Sequence, residues 1–171
     1  MTFDCQLITR SIGPRLWVLH TPLRYTDDAG CPWVIPAGFA TDKRTTRILL
    51  PSVGFADAAW VTHDFERLVR KLVGLSATDI DLRRFYSTLR AVEYSRTWAR
   101  AQTLAVRTAY LCGFRSEGKG WHGAPDSPTR YDLPVIDDVT GETMNMAKWV
   151  CRYYAPDGNG WQTPVGNGNE N

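Results

Sequence analysis

The run ADAAWVTHDFERLVRKLV at residues 56–73 decides the fold class. Its apolar side chains Trp60, Val61, Phe65, Leu68, Val69 and Leu72 fall at i, i+1, i+5, i+8, i+9 and i+12, one face of a helix that Gly74 is placed to end. Upstream the period shortens to two. Leu16, Val18 and His20 alternate with Trp17 and Leu19, and CPWVIP at 31–36 is extended, because its prolines bar a helix interior and suit a sheet edge. Asp27-Asp28-Ala29-Gly30, lying between extended runs at 23–26 and 33–35, predicts a hairpin connection. Downstream the helical period continues. Ser76 or Thr78 can cap a second helix with Asp79 and Asp81 in its first turn and Ile80, Leu82, Phe85, Leu89 and Val92 on its apolar side; a third runs from about Thr97 to Leu111 and stops at Gly113. Farther on, 133–137 and 142–146 flank Asp138-Val139-Thr140-Gly141 as a second hairpin, and 149–154 suits another strand. The expected class is α+β: N-terminal antiparallel strands packed on about three helices, with a small β-rich C-terminal extension.

Charge and composition shift together near residue 115. Residues 1–114 carry 15 basic and 10 acidic side chains, a balance of +5, whereas 115–171 carry 5 and 8, a balance of −3. Gly118, Gly120, Gly123, Pro125, Pro128 and Pro134 follow the same point. The reading is therefore a core domain at 1–114 and a β-rich, aromatic arm at 115–171. The arm holds Trp121, Trp149, Tyr153, Tyr154 and Trp161, more ring surface than short strands can cover, and these five are candidates for docking a partner.

A length of 171 residues, 43% hydrophobic and 22% charged, is ordinary globular composition for about one domain. A net charge of +2 supplies no global field for nucleic acid or anionic membranes. The uncharged stretch from Ile48 to Ala56 is broken by Pro51 and Gly54 and is too short to span a bilayer. No basic segment followed by an apolar run opens the chain, so a soluble protein synthesised in the host cytoplasm is expected. Cys5, Cys31, Cys112 and Cys151 are scattered without a CxxC pair and read as buried free thiols. Arg67, Arg70, Lys71, Arg83, Arg84 and Arg90 read as solvated helix faces, with Glu66 and Arg70 as an i,i+4 pair.

Two polar features stand out: VIPAGFATD at 34–42, and the His63-Asp64 step inside AAWVTHD at 58–64. A histidine and a carboxylate inside an apolar helix cost several kcal/mol unless each has partners. Asp42, Asp79 and Asp81 are available to orient the imidazole, and Thr41, Thr45 and Thr62 offer hydroxyls. Spacing leaves three readings open: a structural His–Asp pair pinning helix to strand, a catalytic histidine oriented by a carboxylate, or a hard-ion site of His63 with carboxylates. The hypothetical catalytic set is His63, Asp64, Asp42 and Thr45. Nothing matches HExxH, GxSxG, a P-loop or GxGxxG, and no cofactor is expected.

These same residues resemble a family of phage and prophage proteins, domain of unknown function 1353. Its members read VPxGFxTDxxSxPR, then a spacer, AAxxHDxLY, an aspartate-led helix and a terminal VRxxG. Here the later elements correspond to Asp79-Ile80-Asp81 with Phe85, and to Val106-Arg107 with Gly113. The resemblance covers roughly residues 16–114. The chain departs from the pattern at Thr45-Thr46-Arg47, which lacks the serine and proline, and at Phe65-Glu66-Arg67, which replaces the Leu-Tyr ending. The resemblance implies a virion-associated accessory protein of a tailed phage, in the tail or baseplate. Its partners would be other virion proteins and, for a wall-directed site, the cell wall, and its His/Asp cluster would look like a hydrolase site. The alternative it leaves is a soluble phage hydrolase acting on cell wall in lysis or entry, with His63 as base or metal ligand.

Overall fold

The computed structural model describes residues 1–13, 16–41, 57–72, 79–111 and 133–154. The fold is α+β. The N-terminal segment forms two antiparallel sheets. Strands β1 (Thr2–Phe3), β4 (Leu23–Thr26) and β5 (Pro32–Ile35) make one, in the order β1-β4-β5; β2 (Thr9–Gly13), β3 (Leu16–Leu19) and β6 (Ala40–Thr41) make the other, in the order β2-β3-β6. The expected hairpin at 27–30 joins β4 to β5, with Leu23 opposite Ile35 and Tyr25 opposite Trp33. The helices are α1 (Asp57–Leu72), α2 (Asp79–Ala91) and α3 (Arg96–Leu111). The second hairpin also forms, from β7 (Pro134–Ile136) and β8 (Thr143–Asn145), and it leads directly into α4 (Met146–Tyr153).

Helix α4 corrects the strand expected at 149–154. Asn145 holds an extended backbone and its side chain accepts a hydrogen bond from the Lys148 N–H at 2.8 Å, so the chain turns helical at Met146. From there Met146, Trp149, Val150 and Tyr153 recur at i, i+3, i+4 and i+7 and are all buried. Short apolar runs fit either period, and the cap breaks the tie.

The apolar interior has two parts, and α1 serves both. Val61, Phe65, Leu68 and Val69 pack with Leu19, Leu23, Tyr25, Trp33 and Ile35 of the sheets. Ala59 and Trp60 pack instead with Leu82, Phe85 and Leu89 of α2 and Ala99 and Val106 of α3. Val135, Met144, Met146, Trp149, Val150, Tyr153 and Tyr154 belong to the first part. Residues 133–154 are therefore a layer of the same core as the N-terminal sheets, not an arm standing off it.

Two further expectations are corrected. Among the described cysteines, Cys5 and Cys151 are exposed and Cys31 half-buried, all as free thiols; Cys151 lies on the outward face of α4. Of the arginines expected in solvent, Arg70 is buried and Arg84 nearly so, and Glu66 is buried too, because α1 is covered on its polar side as well.

The turn in VIPAGFATD is fixed by close packing. Gly38 has φ +87°, its N–H donates to the Leu19 carbonyl at 2.8 Å, and a Cβ placed there would lie 2.6 Å from the Pro134 carbonyl oxygen. Beside it the Ile136 N–H donates to the Ala37 carbonyl at 2.9 Å, so this turn carries the second hairpin. Gly30 also has positive φ, at +80°, but has open space around it. Gly30→Ala is expected to cost about 1 kcal/mol and Gly38→Ala about 3 kcal/mol or more, measured by urea unfolding. Equal losses would show that the hairpin yields easily to a methyl group.

Candidate functional site

His63 and Asp64 sit midway along α1, where the helix passes under β6 and α2. The His63 ring lies 4.9 Å from the Phe85 ring and 6.1 Å from the Trp60 ring, centroid to centroid. Its Nδ1 is 3.7 Å from Asp64 Oδ1, and its side chain is only 5% exposed. Asp64 Oδ2 accepts a hydrogen bond from the Thr41 hydroxyl at 2.7 Å. That bond joins the C-terminal strand of one sheet to the central helix. The nearby Thr62 hydroxyl donates to the Ala59 carbonyl at 3.0 Å, within its own helix. The structure thus brings together His63, Asp64 and Thr41. Asp42 and Thr45 lie outside the described residues, and of Asp79 and Asp81 the backbone alone is described, at the start of α2. Among the described residues no three His, Cys, Asp or Glu side chains are grouped to hold a metal ion.

Of the five aromatic residues expected at a docking surface, Trp121 and Trp161 lie outside the described residues. The other three are core residues, which corrects that expectation. Trp149 is fully buried, 6.1 Å from the Phe65 ring and 5.0 Å from Tyr153. Tyr154 packs 5.3 Å from Trp33 and 5.7 Å from Phe65. Its hydroxyl donates to the Val34 carbonyl at 2.8 Å and accepts from the Val34 N–H at 3.2 Å. Strand β5 is an edge strand, and this one hydroxyl satisfies both outward-facing backbone groups of Val34. Burial first, opposed by that backbone hydrogen bond, holds the Tyr154 phenol well above its ordinary pKa.

The more elaborate polar cluster is one that periodicity did not flag. Arg84 of α2 reaches across to the β4–β5 turn, with Nη2 3.3 Å from Asp27 Oδ2 and Nη1 4.0 Å from Glu66 Oε2 of α1. Its guanidinium carbon lies 5.1 Å from the centre of the Trp33 ring. Asp27 is buried, and it accepts from the Ala29 and Cys31 N–H groups, each at 2.9 Å, and from the Trp33 indole at 3.1 Å. Glu66 accepts from the Tyr25 hydroxyl at 2.8 Å. Burial, and then the Glu66 charge, push the Tyr25 phenol well above its ordinary pKa.

The second hairpin repeats this construction. Asp137 is buried and accepts from Val139 N–H at 3.0 Å, Tyr153 hydroxyl at 2.6 Å and Arg152 at 2.7 Å. In both turns Asp-Asp opens the loop. The first carboxylate accepts the turn's N–H groups, an aromatic donor and an arginine, while the second meets a cation: the terminal ammonium for Asp28, and Arg24 for Asp138. Arg24 lies on β4, so the last contact ties the two hairpins together.

No protein-family model, curated protein or solved structure matches this chain. A general base needs its nitrogen within hydrogen-bond reach of a substrate proton. Here the imidazole is packed against the Trp60 and Phe85 rings and is only 5% exposed, and its carboxylate neighbour is engaged by Thr41. That geometry suits a tie between helix and sheet.

Burial by itself would raise the Asp137 carboxyl, but hydrogen bonds from Tyr153, Val139, Arg152 and Thr140 outweigh it and bring the pKa down from 3.8 to about 2. The stability this carboxylate contributes is complete above pH 3.8 and is lost as pH falls through about 2. Burial and then Asp137 push Tyr153 up to about 12, so its contribution is complete below pH 10 and is lost as pH rises through about 12. Asp137→Asn is expected to cost about 1–3 kcal/mol at neutral pH and to flatten the acid limb of the stability curve. Denaturant midpoints across pH 2–7 for both proteins check this, and an acid limb of unchanged steepness would refute it.

Proposed function

We propose that the chain is a virion-associated accessory protein of a tailed phage, belonging to the tail or baseplate, in which the His–Asp step is structural rather than catalytic. The observation that carries the second half is the enclosure of His63 between Trp60 and Phe85, with Asp64 hydrogen-bonded to Thr41. The phage setting is supported by the resemblance of VIPAGFATD and AAWVTHD to the phage family. The described residues of both motifs have a structural account that needs no substrate. Gly38 admits the second hairpin, Phe39 packs edge-on to Phe65 at 5.3 Å, and Thr41 and Asp64 join strand to helix. A protein that keeps such residues for packing is suited to a constant shape within an assembly. No described helix is long and apolar enough to cross a membrane.

The test has two arms. Mass spectrometry of washed particles from a phage carrying the gene is expected to find the protein at a fixed ratio to tail proteins; its absence from particles would refute the virion assignment. His63→Ala is expected to lose about 1–3 kcal/mol through the polar partner it abandons and the ring contacts it forfeits. The purified wild-type protein is expected to leave a cell-wall suspension turbid. Clearing of that suspension by wild type but not by His63→Ala would instead establish the hydrolase.

A further inference from the structure

We infer that the groove between α2 and α3 is a docking site for an acidic, partly apolar segment of a protein partner. The groove encloses about 700 Å³, with Leu82 and Tyr86 in its lining and three arginines, Arg83 of α2 and Arg100 and Arg107 of α3. All three arginines are exposed. None of them has a hydrogen-bond or ion-pair partner among the described residues. Elsewhere in the fold Arg24, Arg84 and Arg152 are each committed to carboxylates. Helix α3 has no acidic residue in its sequence RTWARAQTLAVRTAYL, and Arg100 and Arg107 are seven residues apart, so they share one face. Asp28 reaches the groove's margin through Ser87, but its charge is met by the terminal ammonium at 2.5 Å. Unpaired guanidiniums converging on one concavity favour carboxylate or phosphate ligands, which they can engage in bidentate fashion.

The lining selects between those ligands. Leu82 and Tyr86 give the groove an apolar floor, and beside that lining Leu104, 62% exposed, lies between Arg100 and Arg107 in the sequence of α3. An amphipathic acidic segment covers that apolar surface and meets the cations at the same time. A nucleic-acid backbone would meet the cations alone, and a chain of net charge +2 adds little long-range attraction for a polyanion. The inference does not depend on the phage reading.

The probe is a fluorescein-labelled amphipathic peptide of Glu and Leu, titrated with the full chain by fluorescence anisotropy. Single-stranded DNA of matched charge and inorganic phosphate serve as competitors. Arg83→Gln, Arg100→Gln and Arg107→Gln are each expected to weaken peptide binding about two- to fivefold, and the triple Arg→Glu variant to abolish it. Arg10→Glu with Lys148→Glu, at exposed positions away from the groove, is expected to leave it unchanged. Thermal melts confirm that each variant folds, and the single Gln variants carry the test if the triple one does not. Absence of peptide binding, an equal loss from the Arg10/Lys148 control, or displacement by DNA or phosphate at lower concentration than unlabelled peptide would each overturn the inference.

Discussion

The largely buried guanidinium of Arg84 is the contact around which the rest of the molecule is arranged. It reaches the first hairpin through Asp27, the central helix through Glu66 and the sheet interior through the Trp33 ring. Removing one member of such a cluster leaves an uncompensated charge out of water, which costs about 3–5 kcal/mol. The cluster therefore specifies position more than it adds stability, because α2 has few other ways to meet the sheet. Once Arg84 is placed, Phe85 beside it is set against Trp60 and His63, and the groove between α2 and α3 acquires its shape.

The two hairpins show one solution used twice. A tight turn leaves backbone N–H groups pointing inward, and burying them requires an acceptor. A first aspartate supplies it at Asp27 and at Asp137, and an arginine and an aromatic donor complete the shell of each carboxylate. The second aspartate then reaches outward to a cation. A polar turn can thus sit against a hydrophobic core without an exposed flank, which is how a short segment at 133–154 becomes a core layer.

Much of this was legible in the residues, and the failures have a common cause. The hairpins at 27–30 and 138–141 announce themselves through Asp and Gly, and the α1 and α3 ranges through the 3.6 period, because those signals are local. The α4 helix was not read, since MAKWVCRY is short and apolar enough for either period and the decision rests with Asn145. Glu66, Arg70 and Arg84 were assigned to solvent on the assumption that an amphipathic helix has a wet side. Helix α1 breaks that assumption: Thr62, His63, Glu66 and Arg70 are buried opposite its apolar face. Polar residues in i, i+4 and i+8 positions on a helix with so broad an apolar arc were the available signal. The His63–Asp64 step calls for partners, and the Thr41 hydroxyl is one for Asp64. Trp149, Tyr153 and Tyr154 look surplus in a layer taken alone, because the sequence does not show that Phe65 and Trp33 stand opposite Trp149 and Tyr154.

The bridge between Ala37 and Ile136 has a consequence for how the chain is made. Residues 133–154 leave the ribosome after the sheets and helices they complete. Until they arrive, the sides of Phe65 and Trp33 that Trp149 and Tyr154 cover are open to water, and the outer backbone groups of Val34 are open to any passing strand. A nascent chain in that state carries a sticky edge and an uncovered aromatic floor, and it depends on a contact spanning about a hundred residues to close both. Among the described residues Tyr154 is thus both the last piece of the core and the cover that keeps the β5 edge from recruiting a neighbour during synthesis.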